Sequence, residues 1–227
     1  MIDLYTTPSP NTWKVSIMLE ECGLPYRVLP VDIGKGEQFD PAFLAISPNG
    51  KVPAIVDHDG AGGPVAIFES GAILVHLAEK TGRFLPASGA ARSDVLGWLF
   101  WQVGALGPSS GQAHHFLSAE GPGAALGATR FVRETERLYG VLDRRLADRD
   151  WIAGDYSIAD IACWGWVWFN GRLVERFANL ARWFAAMSAR PAVARGREAG
   201  FAHITEAQRE RLKGRWWSAA ALHEATV

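Results

Sequence analysis

Over residues 1–85, apolar positions along the chain switch between a two-residue and a roughly 3.6-residue period. Ile2–Tyr5 is a short apolar run that predicts a strand, and the turn Thr6-Thr7-Pro8-Ser9-Pro10-Asn11 closes it. Thr12–Cys22 then places Val15, Met18, Leu19 and Cys22 on one helical face, with Gly23 as the stop. Tyr26–Ile33 reads as a second strand, so the order is βαβ, with parallel strands and a right-handed crossover. Lys51–Asp57 and Val65–Phe68, separated by a Gly60–Pro64 turn, carry a hairpin signal. Glu69–Thr81 is helical, with Ile73, Leu74 and Leu77 on its apolar side and Gly82 beyond it. The sum is βαβ followed by ββα, a four-stranded mixed sheet covered by helices.

From Ser93 onward the strand pattern disappears. Val95–Val103, Thr129–Leu146, Ile158–Phe169 and Leu180–Met187 show helical spacing or continuous apolar runs. Residues 86–92, small and bearing Gly and Pro, read as a linker. The expected organisation is a small α/β domain at 1–85 and an all-helical domain at 93–227.

Composition narrows the function. Apolar residues make up 48% and charged residues 21% of the 227, as in ordinary globular chains. A net charge of −1 supplies no field that would draw the protein to nucleic acid or to an anionic membrane, and neither is expected as a partner. No apolar stretch reaches the ~18 residues of a membrane span. Met1–Tyr5 lacks the basic and apolar regions of a signal peptide, which predicts a reducing, cytoplasmic setting. Cys22 and Cys163 have no CxxC partner and no zinc-like spacing, so they read as small core residues, and no metal is expected.

Three segments can carry chemistry. Ser9-Pro10 has the form of a helix start, Ser as N-cap and Pro at the first helical position. The same geometry leaves N–H groups and the positive helix end available to an anion, and Ser9 and Asn11 can each donate a hydrogen bond to a thiolate. Lowering a thiol pKa by two units takes about 2.7 kcal/mol. One or two charge-assisted hydrogen bonds at ~1.5–3 kcal/mol each reach that. In Lys51-Val52-Pro53-Ala54-Ile55, Pro53 marks either an edge strand or a cis turn that presents the Val52 backbone to a peptide-like ligand. In Phe68-Glu69-Ser70-Gly71, Ser70 is either the N-cap or the seat of a carboxylate, with Glu69 beside it for an ammonium. An α-amino acid head group carries that pair of charges.

A Ser/Pro turn opening the first helix, a Val-Pro strand start and a Glu-Ser helix start, in this frame, resemble the cytosolic glutathione transferases. The stretches GKGEQFDPAFLAISPNGKVPAIVDH, FESGAILVHLAEKTG, WLFWQVGALGP and YSIADIACW are especially similar to the bacterial Nu class. The resemblance runs from Met1 to about Pro191 and implies an α/β plus all-α fold with a thioredoxin-like N-terminal domain, assembled as a homodimer. It implies glutathione, reduced or as its disulfide, as cosubstrate. The γ-glutamyl group would sit at Glu69 and Ser70, and the cysteinyl backbone would pair with Val52 before a cis Pro53. The glycyl end would lie near Gln38 and Lys51, and the sulfur at Ser9 and Asn11. Nu-class members commonly carry Thr where this chain has Ser9; both supply a hydroxyl. No Cys occupies this turn, unlike the Omega- and Beta-like pattern that forms a mixed disulfide with the protein. The implied activity is glutathione-dependent disulfide-bond reduction, with weaker conjugation to electrophiles. The alternative is a binding protein of the same fold without thiolate activation.

Arg130 opens a helical run with Arg133, Glu134 and Arg137, which reads as a solvated face; by resemblance Arg130 contacts bound glutathione. Ser157-Ile158-Ala159-Asp160 has the form of a capping box. His114, His115 and Phe116 are candidates for a second-substrate pocket. Trp164, Trp166 and Trp168 cannot share one helical face, which sends some of them to a domain interface or a pocket. Trp216 and Trp217 predict a tail that packs back on the protein or on a partner.

Overall fold

The computed structural model describes residues 1–60 and 62–210, so Trp216 and Trp217 lie outside the described residues. Two compact units emerge, one made of Met1–Ala87 with Ser188–Arg209 and the other containing Ser88–Met187.

In the first unit, β1 (Ile2–Thr6), α1 (Pro10–Cys22) and β2 (Tyr26–Pro30) form the βαβ unit, and β3 (Ala54–Asp57), β4 (Val65–Phe68) and α3 (Ser70–Thr81) form the ββα unit. Between them lie a 3-10 turn at Glu37–Phe39 and the one-turn helix α2 (Pro41–Leu44). The sheet order is β2-β1-β3-β4, with β1 parallel to β2 and antiparallel to β3. Central β1 is buried along nearly its whole length, which is why its sequence is a run rather than an alternation.

Local chemistry sets the element ends. Ser9, in extended backbone, caps α1, and Pro10 takes the first helical position, so the helix starts two residues before the periodic pattern does. Gly23 ends it in the left-handed region at φ 66°. β2 stops at Pro30, short of the expected Ile33, because the Asp32 carboxylate accepts the Gly34 N–H at 3.0 Å and turns the chain. β3 starts at Ala54 rather than Lys51, because the Val52–Pro53 bond is cis and Pro53 has no N–H for a ladder. Buried Asp57 accepts from His76 Nε2 at 2.8 Å and Lys80 Nζ at 2.9 Å, which ties the end of β3 to α3.

Part of the chain expected in the helical domain belongs to this unit. In α10 (Pro191–Ala199), Gly196 crosses α1 so closely that a Cβ would lie 2.6 Å from the Ile17 backbone. Its carbonyl accepts from Ser16 Oγ at 2.6 Å, while Arg190 and Arg195 pair with Glu21 and Glu20. A glycine and two arginines in a polar segment carry no mark in sequence of which unit they will join.

The second unit holds α4 (Gly89–Trp101), α5 (Gly107–Ser118), α6 (Ala124–Arg145), α7 (Ile158–Phe169), α8 (Gly171–Val174) and α9 (Ala178–Ser188). The stretch expected as a linker over 86–92 already enters helix at Gly89. A π-turn at Gln102–Leu106 joins α4 to α5 without a break; its wide turn accommodates Pro108, which lacks the N–H of a tighter helix. The capping box at the head of α7 is complete: Asp160 accepts from the Ser157 and Ile152 N–H groups at 3.0 Å and from Trp183 Nε1 at 2.8 Å. Trp164 and Trp166 are both buried within this unit, Trp164 stacked on Phe184 and Trp166 edge-on to Phe169. Of the two cysteines, Cys163 is buried as expected, whereas Cys22 is half-buried beside Thr81 Oγ1, and burial pushes its thiol pKa up.

His114 is a core residue rather than a pocket lining. It lies against the Phe169 ring, centroids 3.6 Å apart, and its Nε2 is 3.1 Å from Asn170 Oδ1. Asn170 in turn donates to Tyr139 Oη and to the Trp166 carbonyl, both at 3.2 Å. Exposed His115 and half-buried Phe116 point elsewhere, and Phe116 stacks on Phe131.

Burial lowers the His114 pKa from 6.5 to about 4, so the folded state holds the neutral ring. Its stabilising contribution is therefore complete above pH 6.5 and lost as pH falls toward 4. The difference in unfolding free energy between the wild type and His114→Gln should shrink by roughly 3 kcal/mol on going from pH 7 to pH 4. Urea titrations at a series of pH values measure this, and a pH-independent difference would contradict it.

Candidate active-site cleft

The first unit contains a cleft of about 270 Å³. Asn11 from the first turn of α1, Val52 and Pro53 from the cis turn, and Glu69 and Ser70 from the head of α3 line it. Lys51, Ser47 and Asn49 complete the wall. Six residues singled out from the sequence thus meet in one place, although 59 positions of chain separate Asn11 from Ser70.

The head of α3 differs from expectation. The N-cap is Glu69, and Ser70 is the first helical residue. Glu69 sits at φ 68°, ψ 116°, a conformation that a residue with a side chain rarely adopts, and strain of this kind collects where a site has to be shaped. The consequence here is a division of labour: the Glu69 carboxylate is exposed, while the Ser70 hydroxyl is turned inward.

Ser70 has a partner that the sequence did not suggest. Lys14, about one helical turn after Asn11 in α1, is 2% exposed and donates from Nζ to Ser70 Oγ at 3.2 Å. The signal was its place on α1 between Asn11 at i−3 and the apolar Ile17 and Met18 at i+3 and i+4. Ser47 and Asn49 were also missed; their Ser-Pro-Asn-Gly stretch is a turn signature that reads as punctuation. Ser47 Oγ donates to the Lys51 carbonyl at 2.8 Å and closes that loop. Gly50, at φ 61°, lets the loop pack against the Gln38 carbonyl and the Phe39 ring.

The remaining expected residues lie off the cleft wall. Ser9, half-buried, is engaged in the cap: its Oγ accepts the Thr12 N–H at 3.4 Å and lies 3.2 Å from Thr12 Oγ1. Thr12 Oγ1 gives its own hydrogen to the Thr7 carbonyl at 2.6 Å, so in that contact Ser9 Oγ is the donor, and its hydrogen must turn away from Thr12 to serve a ligand. Gln38 is half-buried beside the 47–51 loop, and its Oε1 is buried without a hydrogen-bond partner. Arg130 is exposed on α6 in the other unit, where neighbouring Arg137 pairs with Glu134. Among the described residues, no three His, Cys, Asp or Glu side chains converge as a metal site, and no helix is long and apolar enough to cross a membrane.

A four-stranded α/β unit with a cis-Pro turn and two helix starts around one cleft, in a chain that also holds a helical unit, is the architecture of a two-domain thioredoxin-like protein, and comparison with known proteins gives its family. Residues 8–80 match the family model of the glutathione S-transferase N-terminal domain, and residues 128–191 match that of its C-terminal domain. Disulfide-bond oxidoreductase YfcG of Escherichia coli K12 is 51% identical over 198 residues, covering 85% of this chain and 92% of that one. A glutathione transferase family member from Pseudomonas fluorescens, solved with two glutathione bound, superposes with a TM-score of 0.83 at 45% identity, covering 87% of this chain and 92% of that one. A glutathione transferase from Pseudomonas putida, solved with one glutathione disulfide per subunit, gives 0.81 at 43% identity, covering 87% and 90%. The chain belongs to the glutathione S-transferase family.

The cap at Ser9 has a cost that can be measured without any ligand. Ser9→Ala should lower the unfolding free energy by about 1 kcal/mol, the usual worth of an N-cap side chain. An unchanged denaturation midpoint would show that the Thr12 half of the box carries α1 alone.

Proposed function

We propose that this protein is a glutathione-dependent disulfide-bond reductase with weaker transferase activity toward electrophilic carbon. The observation that carries the reading is the convergence of Asn11, Val52, Glu69 and Ser70 on one cleft. The spacing of charged and polar groups there suits a peptide-like thiol with an amino acid head. Glu69 takes the ammonium and Ser70 the carboxylate of the γ-glutamyl group. The Val52 backbone pairs with the cysteinyl residue, and Gln38 and Lys51 serve the glycyl end. Ser9 and Asn11 donate to the sulfur at the positive end of α1, which favours the thiolate.

The chemistry needs two glutathiones. The bound thiolate attacks one sulfur of the substrate disulfide, forming a glutathionyl mixed disulfide and expelling the other sulfur as a thiolate, which takes up a proton. A second glutathione thiolate attacks the glutathionyl sulfur, releasing glutathione disulfide and the remaining substrate thiol. Two glutathiones are oxidised by two electrons and one disulfide is reduced by two. The names of the similar proteins support this over a purely binding role: YfcG is called a disulfide-bond oxidoreductase, and the two Pseudomonas transferases hold a glutathione pair and glutathione disulfide. The working form in this reading is a cytoplasmic homodimer acting on small disulfides, with neither nucleic acid nor membrane as partner.

Two assays side by side test it: glutathione-dependent reduction of a small mixed disulfide, and conjugation to a halogenated nitroarene. Disulfide turnover should be fast and conjugation slow. Ser9→Ala and Asn11→Ala should each lower disulfide turnover by about 10- to 100-fold, the worth of one charge-assisted hydrogen bond. Conjugation without disulfide reduction would make the protein a general transferase, and silence in both would favour the binding protein.

A further inference from the structure

The contact between Lys14 and Ser70 has a direction. An ammonium has three donors and no lone pair, so in this pair Lys14 donates and Ser70 Oγ accepts, at 3.2 Å. That leaves the single Ser70 hydroxyl hydrogen to be given elsewhere. Ser70 lines the cleft, and Lys14 approaches from the interior, at 2% exposure. The hydroxyl hydrogen is therefore aimed at whatever acceptor occupies the cleft. An oxygen that accepts from a cation is also a stronger donor through its own hydrogen, because successive hydrogen bonds polarise one another.

We infer that Lys14 is a positioning residue that sets Ser70 as a dedicated donor, making the head of the cleft selective for a free carboxylate over its neutral amide. An ordinary serine hydroxyl rotates to suit either an acceptor or a donor. With Lys14 behind it, Ser70 rewards an oxygen anion and rejects the donor face of an –NH₂ group. The charge of the buried ammonium adds to that preference, since a partly desolvated cation is weakly screened. Ligands with a γ-glutamyl group and a free α-carboxylate fit; those blocked there do not. This rests on the reading of the cleft as the γ-glutamyl site. It extends that reading by giving the carboxylate specificity to a residue of α1 that does not line the cleft.

The test uses binding, so it stands apart from turnover. Calorimetry on the full-length protein compares γ-glutamyl-alanyl-glycine, which has no thiol, with the same tripeptide carrying an α-carboxamide. The wild type should prefer the carboxylate by about tenfold or more, as expected for a charge-assisted hydrogen bond. Lys14→Met should cut that preference to about threefold or less, and Lys14→Arg should restore part of it, responses that a merely structural lysine would not give. A preference unchanged in Lys14→Met overturns the inference. If Lys14→Met gives no cooperative melt, Ser70→Ala supplies the same comparison: the preference should fall alike, and its survival overturns the inference. Wild-type protein that binds neither tripeptide overturns the reading of the cleft and this inference with it. Binding of both with equal affinity overturns the inference alone.

Discussion

Lys14 buries an ammonium between α1 and α3, and an ammonium taken out of water must keep its hydrogen bonds. Its bond to Ser70 Oγ spans 56 positions of sequence and ties the first helix to the head of the third. The βαβ unit supplies α1 and the ββα unit supplies α3, and each begins on the cleft, bringing Asn11 and Ser70. Pro53, cis after Val52, delays the start of β3 and leaves the preceding residues as a wall between them. The cleft is thus a junction of two motifs, and the Lys14–Ser70 bond joins them on the helical side while the β1–β3 ladder joins them in the sheet.

Hydroxyl groups at this junction carry two duties. Ser9 accepts from the Thr12 N–H as a cap and gives its hydrogen to Thr12 Oγ1, whose own hydrogen goes to the Thr7 carbonyl. Ser70 accepts from Lys14 and retains a hydrogen. At Ser70 the structural bond uses a lone pair and leaves the donor side for a ligand, whereas Ser9 serves one only by turning its hydrogen from Thr12. The cap bond to the Thr12 N–H survives that rotation, because it uses a lone pair.

Signals contained within a few residues were legible in the sequence. Ser9-Pro10, Gly23, Gly82 and the Ser157–Asp160 box each act through their own neighbours, and each does in the structure what its local chemistry predicts. The order of strands and helices was legible for the same reason. Boundaries were lost where a side chain or an isomer decided them, as with Asp32 ending β2 and Pro53 delaying β3. Partners across the chain were not legible even where a residue stood out: Ser70 for Lys14, the Lys51 carbonyl for Ser47, Ile17 for Gly196. His114 shows the converse, a polar residue that sequence sends to a pocket and that Asn170 and Phe169 hold in the core. The cleft itself was legible in large part because its residues sit at element ends, where sequence signals are strongest.

The central claim is that the first turn of α1 stabilises a glutathione thiolate. Difference absorbance of the thiolate, followed as pH is varied with glutathione bound to saturation, tests it most directly. The account predicts a bound thiol pKa lowered by about two units from that of the free thiol, about 2.7 kcal/mol of preference for the anion. A bound thiol that titrates like the free one would contradict it.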